Sequence, residues 1–331
     1  MKIAINGMGR IGRAALKVIL ETPELELVAV NDIVSVENIA YLLKYDSVYG
    51  IYEKEVSHDE NNLIINGKKI QFNAVRNPEE LPWKENNIDV VIESTGFFTR
   101  SEDAEKHIKA GAKTVIISAP TKSEDIPTVV HGVNSKDGKT SVFSCASCTT
   151  NNISPVVEVL GRRIGIKKAI MTTVHAYTAS QSIVDGPSEK NLRMGRAGAA
   201  NIIPTSTGAA IATTKTLPQY AGKFDGVALR VPIPVGSISD LTFVTERPVT
   251  VEEVNAIFEE ESKTSRYKNI LTTTTEPIVS SDIVKSPYAS TVDLNMTRVV
   301  DGDLLKVMTW YDNEWGFTNQ MIRHILEIKN N

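Results

Sequence analysis

The opening stretch of the chain constrains the fold most. Residues 2–6 (KIAIN) form a short apolar strand that runs straight into Gly7-Met8-Gly9-Arg10-Ile11-Gly12. An apolar stripe at Ile11, Ala14, Ala15, Val18 and Ile19 follows at helical spacing. Pro23 ends that helix, and residues 25–30 (LELVAV) make a second strand that leads to Asn31-Asp32. Glycine turns open many strand-to-helix joints for packing alone. Strand, glycine turn, helix, strand and terminal acid in register make a dinucleotide-binding unit. Gly7 and Gly9 let the backbone approach a pyrophosphate, and the helix N-terminus offers it unpaired N–H donors. Asp32 stands where a carboxylate meets the adenosine ribose hydroxyls.

The alternation continues. Residues 88–93 (IDVVIE) predict a strand leading to Ser94-Thr95-Gly96, residues 101–110 a helix with Ser101 as N-cap, and residues 114–118 (TVIIS) a further strand. Thr95 and Ser118 then lie at the carboxyl ends of strands, where open parallel sheets bind ligands; equally, they terminate strands and nothing more. The chain's 331 residues suit two domains. A net charge of −4 provides no global field for nucleic acid or an acidic membrane, so a polyanionic substrate must be met by local arginines and backbone donors. No apolar run is long enough to suggest a membrane span. The first residues reach Gly7 too soon for a secretory signal. Two cysteines in the whole chain fit a reducing compartment, and a cytoplasmic protein is expected.

The segment Ser144-Cys145-Ala146-Ser147-Cys148-Thr149-Thr150-Asn151-Asn152 follows a strand and precedes a helical stretch. A cysteine there lies where backbone amides stabilise a thiolate, although a lone cysteine is more commonly a small buried hydrophobe. Pro155 leaves two helix starts open: a Ser154 cap with Pro155 in the first turn, or an earlier start near Thr149 with a bend. Residues 170–176 (IMTTVHA) read as a strand with His175 near its end; a histidine within reach of the thiol would lower its pKa and shuttle its proton. Sequence separation says nothing about that distance. Pro204-Thr205-Ser206-Thr207-Gly208 reads as a hydroxyl-rich turn. Arg230 stands alone in an apolar strand and calls for an anion, either a buried carboxylate or a ligand phosphate.

Together INGMGRIGR, Asn31-Asp32, ASCTTN at 146–151, HAYTASQ at 175–181, NIIPTSTGAA at 201–210 and WYDNEWGF at 310–317 closely resemble the glyceraldehyde-3-phosphate dehydrogenases, over the whole chain. The resemblance implies an α/β fold: a Rossmann dinucleotide-binding domain over 1–148, completed by a C-terminal helix over about 314–331, and an α+β catalytic domain over 149–313. A stripe at Phe317, Met321, Ile322 and Ile325 fits that closing helix. It implies Cys148 as nucleophile and His175 as its base, in an enzyme that uses NAD and inorganic phosphate to convert glyceraldehyde 3-phosphate into 1,3-bisphosphoglycerate, with no metal. Thr178 and Arg230 would hold the substrate phosphate, and Ser147, Thr149, Thr207 and Gly208 the attacking phosphate. Gly7, Gly9, Arg10 and Ile11 would meet the pyrophosphate, and Asp32 the adenosine ribose. Arg76, Thr95 and Ser118 would line the path to the nicotinamide, and Asn313 would hold its carboxamide. The family's oligomer implies a homotetramer, with residues 179–200 packed against a neighbouring subunit.

Asp32 disfavours a 2′-phosphate, and Pro187 matches the family's NAD-preferring members. Three positions depart from the pattern: Cys145 replaces the usual Asn, Asn152 replaces a second cysteine, and Met194 stands where some members have a phosphate-binding arginine, a role left to Arg193 or Arg196. Cys145 is either packing or a resolving thiol for an oxidised Cys148. Erythrose-4-phosphate and semialdehyde dehydrogenases are the enzymatic rivals, and a nucleotide-sensing protein that lost catalysis would lack Cys148 or His175.

Overall fold

The chain's first residues fold as the opening motif requires. β1 (Lys2–Asn6) ends in a turn at Gly7, α1 (Arg10–Leu20) follows, and β2 (Glu26–Asn31) returns parallel to β1. Gly7 adopts φ +96°, and a Cβ there would lie 2.7 Å from the Thr95 nitrogen; a Cβ on Gly12 would lie 2.0 Å from the Gly7 carbonyl oxygen. Both positions are closed to any side chain, because turn, helix and neighbouring strand pack backbone against backbone.

The computed structural model describes residues 1–134, 140–189 and 191–330. They fall into two units, the first made of Met1–Val129, Lys136–Ala146 and Met321–Asn331 and the second of Val130–Ser135 and Ser147–Gln320. After β2 the first unit continues through α2 (Val36–Lys44), the short pair β3 (Tyr45–Asp46) and β4 (Gly50–Ile51), then β5 (Val56–His58), β6 (Asn62–Ile65), β7 (Lys68–Asn73), β8 (Val90–Glu93), α3 (Ser101–Lys109), β9 (Thr114–Ile117) and β10 (Val142–Ser144). Eight of these strands form one sheet in the order β10-β9-β8-β1-β2-β7-β6-β5, parallel from β10 to β7 and antiparallel at β6 and β5. Strand order reverses at β1, with β2 on one side and β8 on the other, so a ligand crevice belongs over the carboxyl ends of β1 and β8. Helices cover the parallel strands, and Ala4, Ala29, Trp83, Val91, Ala104 and Val115 pack in the core beneath them. Ser101 turns out to be the first residue of α3 and not its cap. Arg100 caps with extended backbone, and the Ser101 amide donates to Ser123 Oγ at 3.0 Å.

The second unit opens with α4 (Cys148–Arg163), followed by β11 (Ile166–Ala176), β12 (Ile203–Ser206), α5 (Ala209–Thr216), β13 (Phe224–Val231), β14 (Ser237–Thr245), α6 (Val251–Glu261), β15 (Leu271–Thr274), β16 (Ser290–Asp293), β17 (Arg298–Val300) and β18 (Leu304–Tyr311). Its sheet runs β12-β13-β11-β14-β18-β16-β15, with β17 added on β18; β11 pairs parallel with β13 and antiparallel with β14. Ile153, Val156, Val159 and Leu160 of α4 share a core with Met171, Leu241 and Phe243 of the sheet. Of the two starts that Pro155 left open, the earlier occurs. α4 begins at Cys148, its cap Ser147 accepts from the Thr150 amide at 3.1 Å, and the helix runs on through Pro155. Pro204-Thr205-Ser206 form β12 instead of the expected turn. An edge strand tolerates Pro204 because one side needs no ladder donors.

The last helix, α7 (Trp315–Asn330), begins in the second unit and its final turns belong to the first. There Ile325 is fully buried, and His324 meets Phe143 of β10 edge-on with ring centroids 5.1 Å apart.

Candidate active site

Over the carboxyl ends of β1, β2 and β8 lies a cleft of ≈ 500 Å³, lined by Gly7, Gly9, Asp32, Arg76, Thr95 and Phe97 among others. Gly9 stands at the N-cap of α1 with no side-chain cap bond, and a Cβ there would meet nothing within 4 Å. A helix end of that kind, with no side chain over its cap, suits an anion. The Arg10 side chain pairs through Nη1 with Asp46 Oδ2 at 2.7 Å, and its guanidinium covers the Tyr49 ring. Burial pushes the Asp46 carboxyl up, but the Tyr49 and Val48 amides and Arg10 together hold it below its ordinary value. Asp32 Oδ2 accepts from the Met8 amide at 2.7 Å and Oδ1 from the Val34 amide at 3.0 Å, which fixes the carboxylate at the cleft with lone pairs left for ribose hydroxyls. Ser118 follows β9, its amide bonded to the Glu93 carbonyl at 2.9 Å, and does not line the cleft.

Ile33 and Phe97 are cleft residues that the sequence did not single out. They are 60% and 81% exposed, and apolar side chains so bare on a cleft rim suit the faces of a planar ring. Their signal lay in position, directly after the strand-ending acid Asp32 and in the loop after β8. The whole cleft fits an adenine dinucleotide.

In the second unit, Cys148 Sγ lies 3.4 Å from His175 Nε2. The α4 cap places the thiol in the helix's first turn, and the β11–β13 register sets His175 directly opposite Arg230. His175 Nδ1 is 2.7 Å from the Ala176 carbonyl oxygen, and Arg230 Nη1 is 2.6 Å from Nδ1 and 3.1 Å from that oxygen. One nitrogen cannot both donate to Ala176 and accept from Arg230, so two neutral tautomers compete. With its proton on Nδ1, the ring turns a lone pair on Nε2 toward sulfur; with Arg230 donating to Nδ1, it turns an N–H there. Burial, then the Arg230 charge, pull the imidazole down to about 3. Among the described residues no carboxylate pairs with Arg230, so the buried-carboxylate alternative does not occur.

The low thiol pKa expected of Cys148 is not found. Burial pushes it above its ordinary value, and Arg230 with the Thr149 hydroxyl and amide only partly offsets that. A proton crossing from the Cys148 thiol to a neutral Nε2 changes no net charge.

Tyr311 at the end of β18 is a third residue missed as an individual. Its hydroxyl bonds Thr149 Oγ1 at 2.9 Å and Thr173 Oγ1 at 2.8 Å, and its ring meets His175 edge-on at 5.9 Å. Thr149 is thus buried, with its hydroxyl occupied. Ser147 Oγ is shared between the Thr150 amide and hydroxyl. Gly208 is exposed at the N-cap of α5 with no side chain over it, beside Thr207, whose hydroxyl accepts from the Ala209 amide at 3.2 Å. Thr178 follows β11, its hydroxyl bonded to Ser180 Oγ at 2.8 Å. Asn313 Oδ1 accepts from the Gly236 amide and from Ser237 Oγ, which orients the amide and leaves its NH₂ to donate. Arg196 is ion-paired with Asp185 at 3.0 Å, whereas exposed Arg193 has no ion pair among the described residues. Cys145 is buried in the first unit, and burial pushes its thiol up to about 12. A group so hard to ionise is a poor resolving thiol.

Residues 1–101 match the family description "Glyceraldehyde 3-phosphate dehydrogenase, NAD binding domain", and residues 147–313 match "Glyceraldehyde 3-phosphate dehydrogenase, C-terminal domain". Over 326 residues the chain is 49% identical to a glyceraldehyde-3-phosphate dehydrogenase of Streptomyces coelicolor, covering 97% of this chain and 96% of the relative. It is 50% identical over 325 residues to the enzyme of that name from Geobacillus stearothermophilus, with the same coverage. Against the one from Clostridium acetobutylicum the identity is 48% over 328 residues, again covering 97% and 96%.

Proposed function

The chain belongs to the glyceraldehyde-3-phosphate dehydrogenase family, and we propose that it oxidises and phosphorylates D-glyceraldehyde 3-phosphate to 1,3-bisphosphoglycerate with Cys148 as nucleophile and His175 as base. The observation that carries this is the 3.4 Å approach of Cys148 Sγ to a histidine nitrogen whose partner nitrogen is anchored on Ala176. Arg230, with Thr178, takes the substrate's phosphate. An anion on Arg230 draws its donors away from Nδ1, which leaves the tautomer whose Nε2 is a base. His175 then receives the thiol proton as sulfur adds to the aldehyde carbon and hands it to the new alkoxide, forming a hemithioacetal. Bound NAD supplies the hydride acceptor. His175 takes the proton of the hemithioacetal hydroxyl, so that no charge builds up on oxygen, and Cys148 is left as a thioester. Inorganic phosphate attacks the thioester carbon, and the departing Cys148 sulfur takes the proton back from His175. Thr207 and the amide at Gly208, with Ser147 and Thr149 at the start of α4 and Arg193 in place of the arginine absent at Met194, receive that phosphate.

On the cofactor side, Gly7, Gly9 and the amides of Arg10 and Ile11 hold the pyrophosphate and Asp32 the ribose. Arg76, Thr95 and Ser118 line the path, and Asn313 donates to the carboxamide. Residues 1–148 with 314–331 serve the cofactor, and residues 149–313 the chemistry. We further propose a cytoplasmic homotetramer. Free thiols at both cysteines suit a reducing compartment. Ile183, Val184, Leu192 and Ile202 are 84%, 72%, 83% and 67% exposed, a bare apolar stretch suited to a neighbouring subunit; Lys190 within it lies outside the described residues. No helix among the described residues is long and apolar enough to cross a membrane.

Absorbance at 340 nm tests the reaction. NAD reduction should need both glyceraldehyde 3-phosphate and inorganic phosphate for sustained turnover. Sustained turnover without phosphate, or equal kcat/KM with NADP, would refute this reading or its cofactor preference respectively.

A further inference from the structure

A group of polar side chains buried beneath the dinucleotide cleft takes no part in the chemistry. Glu93 and His107 are 1% and 0% exposed, and Asn6 and Asn31 are 1% and 4% exposed. Glu93 ends β8 directly opposite Asn6 at the end of β1. One of its carboxylate oxygens accepts from Asn6 Nδ2 at 2.6 Å and from His107 Nε2 at 3.1 Å. The other accepts from the Thr95 amide at 2.8 Å and from the Thr95 hydroxyl. Trp83 Nε1 can only donate, and it lies 2.9 Å from His107 Nδ1. That nitrogen must be the acceptor, so the imidazole proton sits on Nε2 and points at Glu93. Asn6 Oδ1 accepts from Asn31 Nδ2 at 2.7 Å, and Asn31 closes both ways on the Val75 backbone, amide and carbonyl, at 2.9 Å each.

Each donor and acceptor in this chain therefore has one assignment, from the Val75 backbone through Asn31, Asn6 and Glu93 to Thr95. Its ends are the two rims of the cleft, at Val75-Arg76 and at Thr95-Phe97. Because Thr95 gives its only hydroxyl proton to Glu93 and accepts there from the Phe97 amide at 3.1 Å, its oxygen can meet the cofactor only as an acceptor. A buried network with every member paired is rigid, and reversing one member leaves two donors facing each other.

We infer that Glu93 is a positioning residue for the dinucleotide: through the relay Val75–Asn31–Asn6–Glu93–Thr95, anchored by His107, it ties the two rims together and fixes the polarity of Thr95. This rests on reading the cleft as the NAD site. The substitution Glu93→Gln keeps the shape but turns an amide NH₂ toward Asn6 Nδ2 and His107 Nε2. His107 cannot answer by moving its proton, since Trp83 occupies Nδ1. Asn6→Asp in the same chain restores an acceptor at that contact and keeps the buried charge constant; because the Asn6 Nδ2 position lies 3.4 Å from His107 Nε2, the new carboxylate can also accept the His107 proton.

Calorimetric titration with ADP-ribose and with NAD tests the relay, alongside kcat at saturating NAD and a thermal melt. Glu93→Gln should weaken ADP-ribose binding about tenfold, with a smaller effect on kcat. Glu93→Gln with Asn6→Asp should recover to within about threefold of the wild type. Wild-type affinity in the folded single variant, or a folded double variant no better than the single, would overturn the relay. Failure of the wild type to bind ADP-ribose would instead overturn the cleft's assignment. Should Glu93→Gln not fold, amide exchange on the wild type decides. The Val75 and Thr95 amides should exchange far more slowly than their loop neighbours without ligand, and equal rates would contradict the relay.

Discussion

The two ligand-binding regions are built in opposite ways. The dinucleotide cleft of the first unit is mostly backbone: a turn at Gly7, an open helix end at Gly9 and strand ends brought level by the parallel run of one sheet. The proposed catalytic cluster of the second unit is side chains from α4, β11, β13 and β18, and little of it would survive if their register slipped by one residue. Backbone sites resist most substitutions and fail where a Cβ intrudes. Side-chain sites fail at single atoms.

That contrast can be broken first at sulfur. Cys148→Ser should keep the fold and lose at least ~10³-fold in kcat, because a serine hydroxyl is not ionised by a neutral imidazole at this distance. His175→Asn should cost ~10²–10⁴-fold in kcat with NAD affinity unchanged. Steady-state kinetics with calorimetric NAD binding checks both, and near-normal turnover in either variant removes that residue's role.

Gly12→Ala probes the backbone region. Its Cβ would sit 2.0 Å from the Gly7 carbonyl, so the turn must open. Urea unfolding should show a loss of about 3 kcal/mol, with weaker NAD binding. A variant as stable as the wild type would mean that the turn yields without cost.

An effect that is smaller per pH unit separates the regions by pH. In the fold, His175 is held down to about 3 from an ordinary 6.5, so between those values the unfolded chain binds the extra proton. Stability should fall as pH drops through that window, by up to about 1.4 kcal/mol per unit from this group alone. His175→Asn should flatten that part of the urea-derived curve, and an unchanged slope would contradict the buried neutral imidazole. The smallest change is expected at Cys145. Cys145→Ala should cost about 1 kcal/mol and leave recovery from peroxide by dithiothreitol as in the wild type. Impaired recovery would give Cys145 a redox role after all.

The same contrast explains what could be read from the sequence. Gly7, Gly9 and Asp32 were legible because spacing along one strand–helix–strand unit dictates their positions in space. Cys148 and His175 were recognisable only as a pair within a whole-chain resemblance, since the sheet register that joins β11 to β13 and sets Arg230 against His175 leaves no periodic trace. Ile33 and Phe97 passed as ordinary loop hydrophobics, and Tyr311 as part of a motif. The raised thiol pKa of Cys148 was illegible for a different reason. A helix N-terminus and a nearby arginine are visible as residue types, but the burial that outweighs them depends on packing across the whole unit. Misassigned ends followed local competition: Ser101 lost its cap role once Ser123 Oγ reached its amide.

In the proposed mechanism oxidation is stored on Cys148 before phosphate arrives, and a rapid-mixing experiment without phosphate shows whether it is. Enzyme, NAD and glyceraldehyde 3-phosphate should give a burst of one NADH per active Cys148 and then stop, with intact-mass analysis placing an acyl group on that residue. Added phosphate should discharge the acyl group and restart turnover. A burst absent from the trace, or turnover that continues unchecked with Cys148 unmodified, would contradict the account.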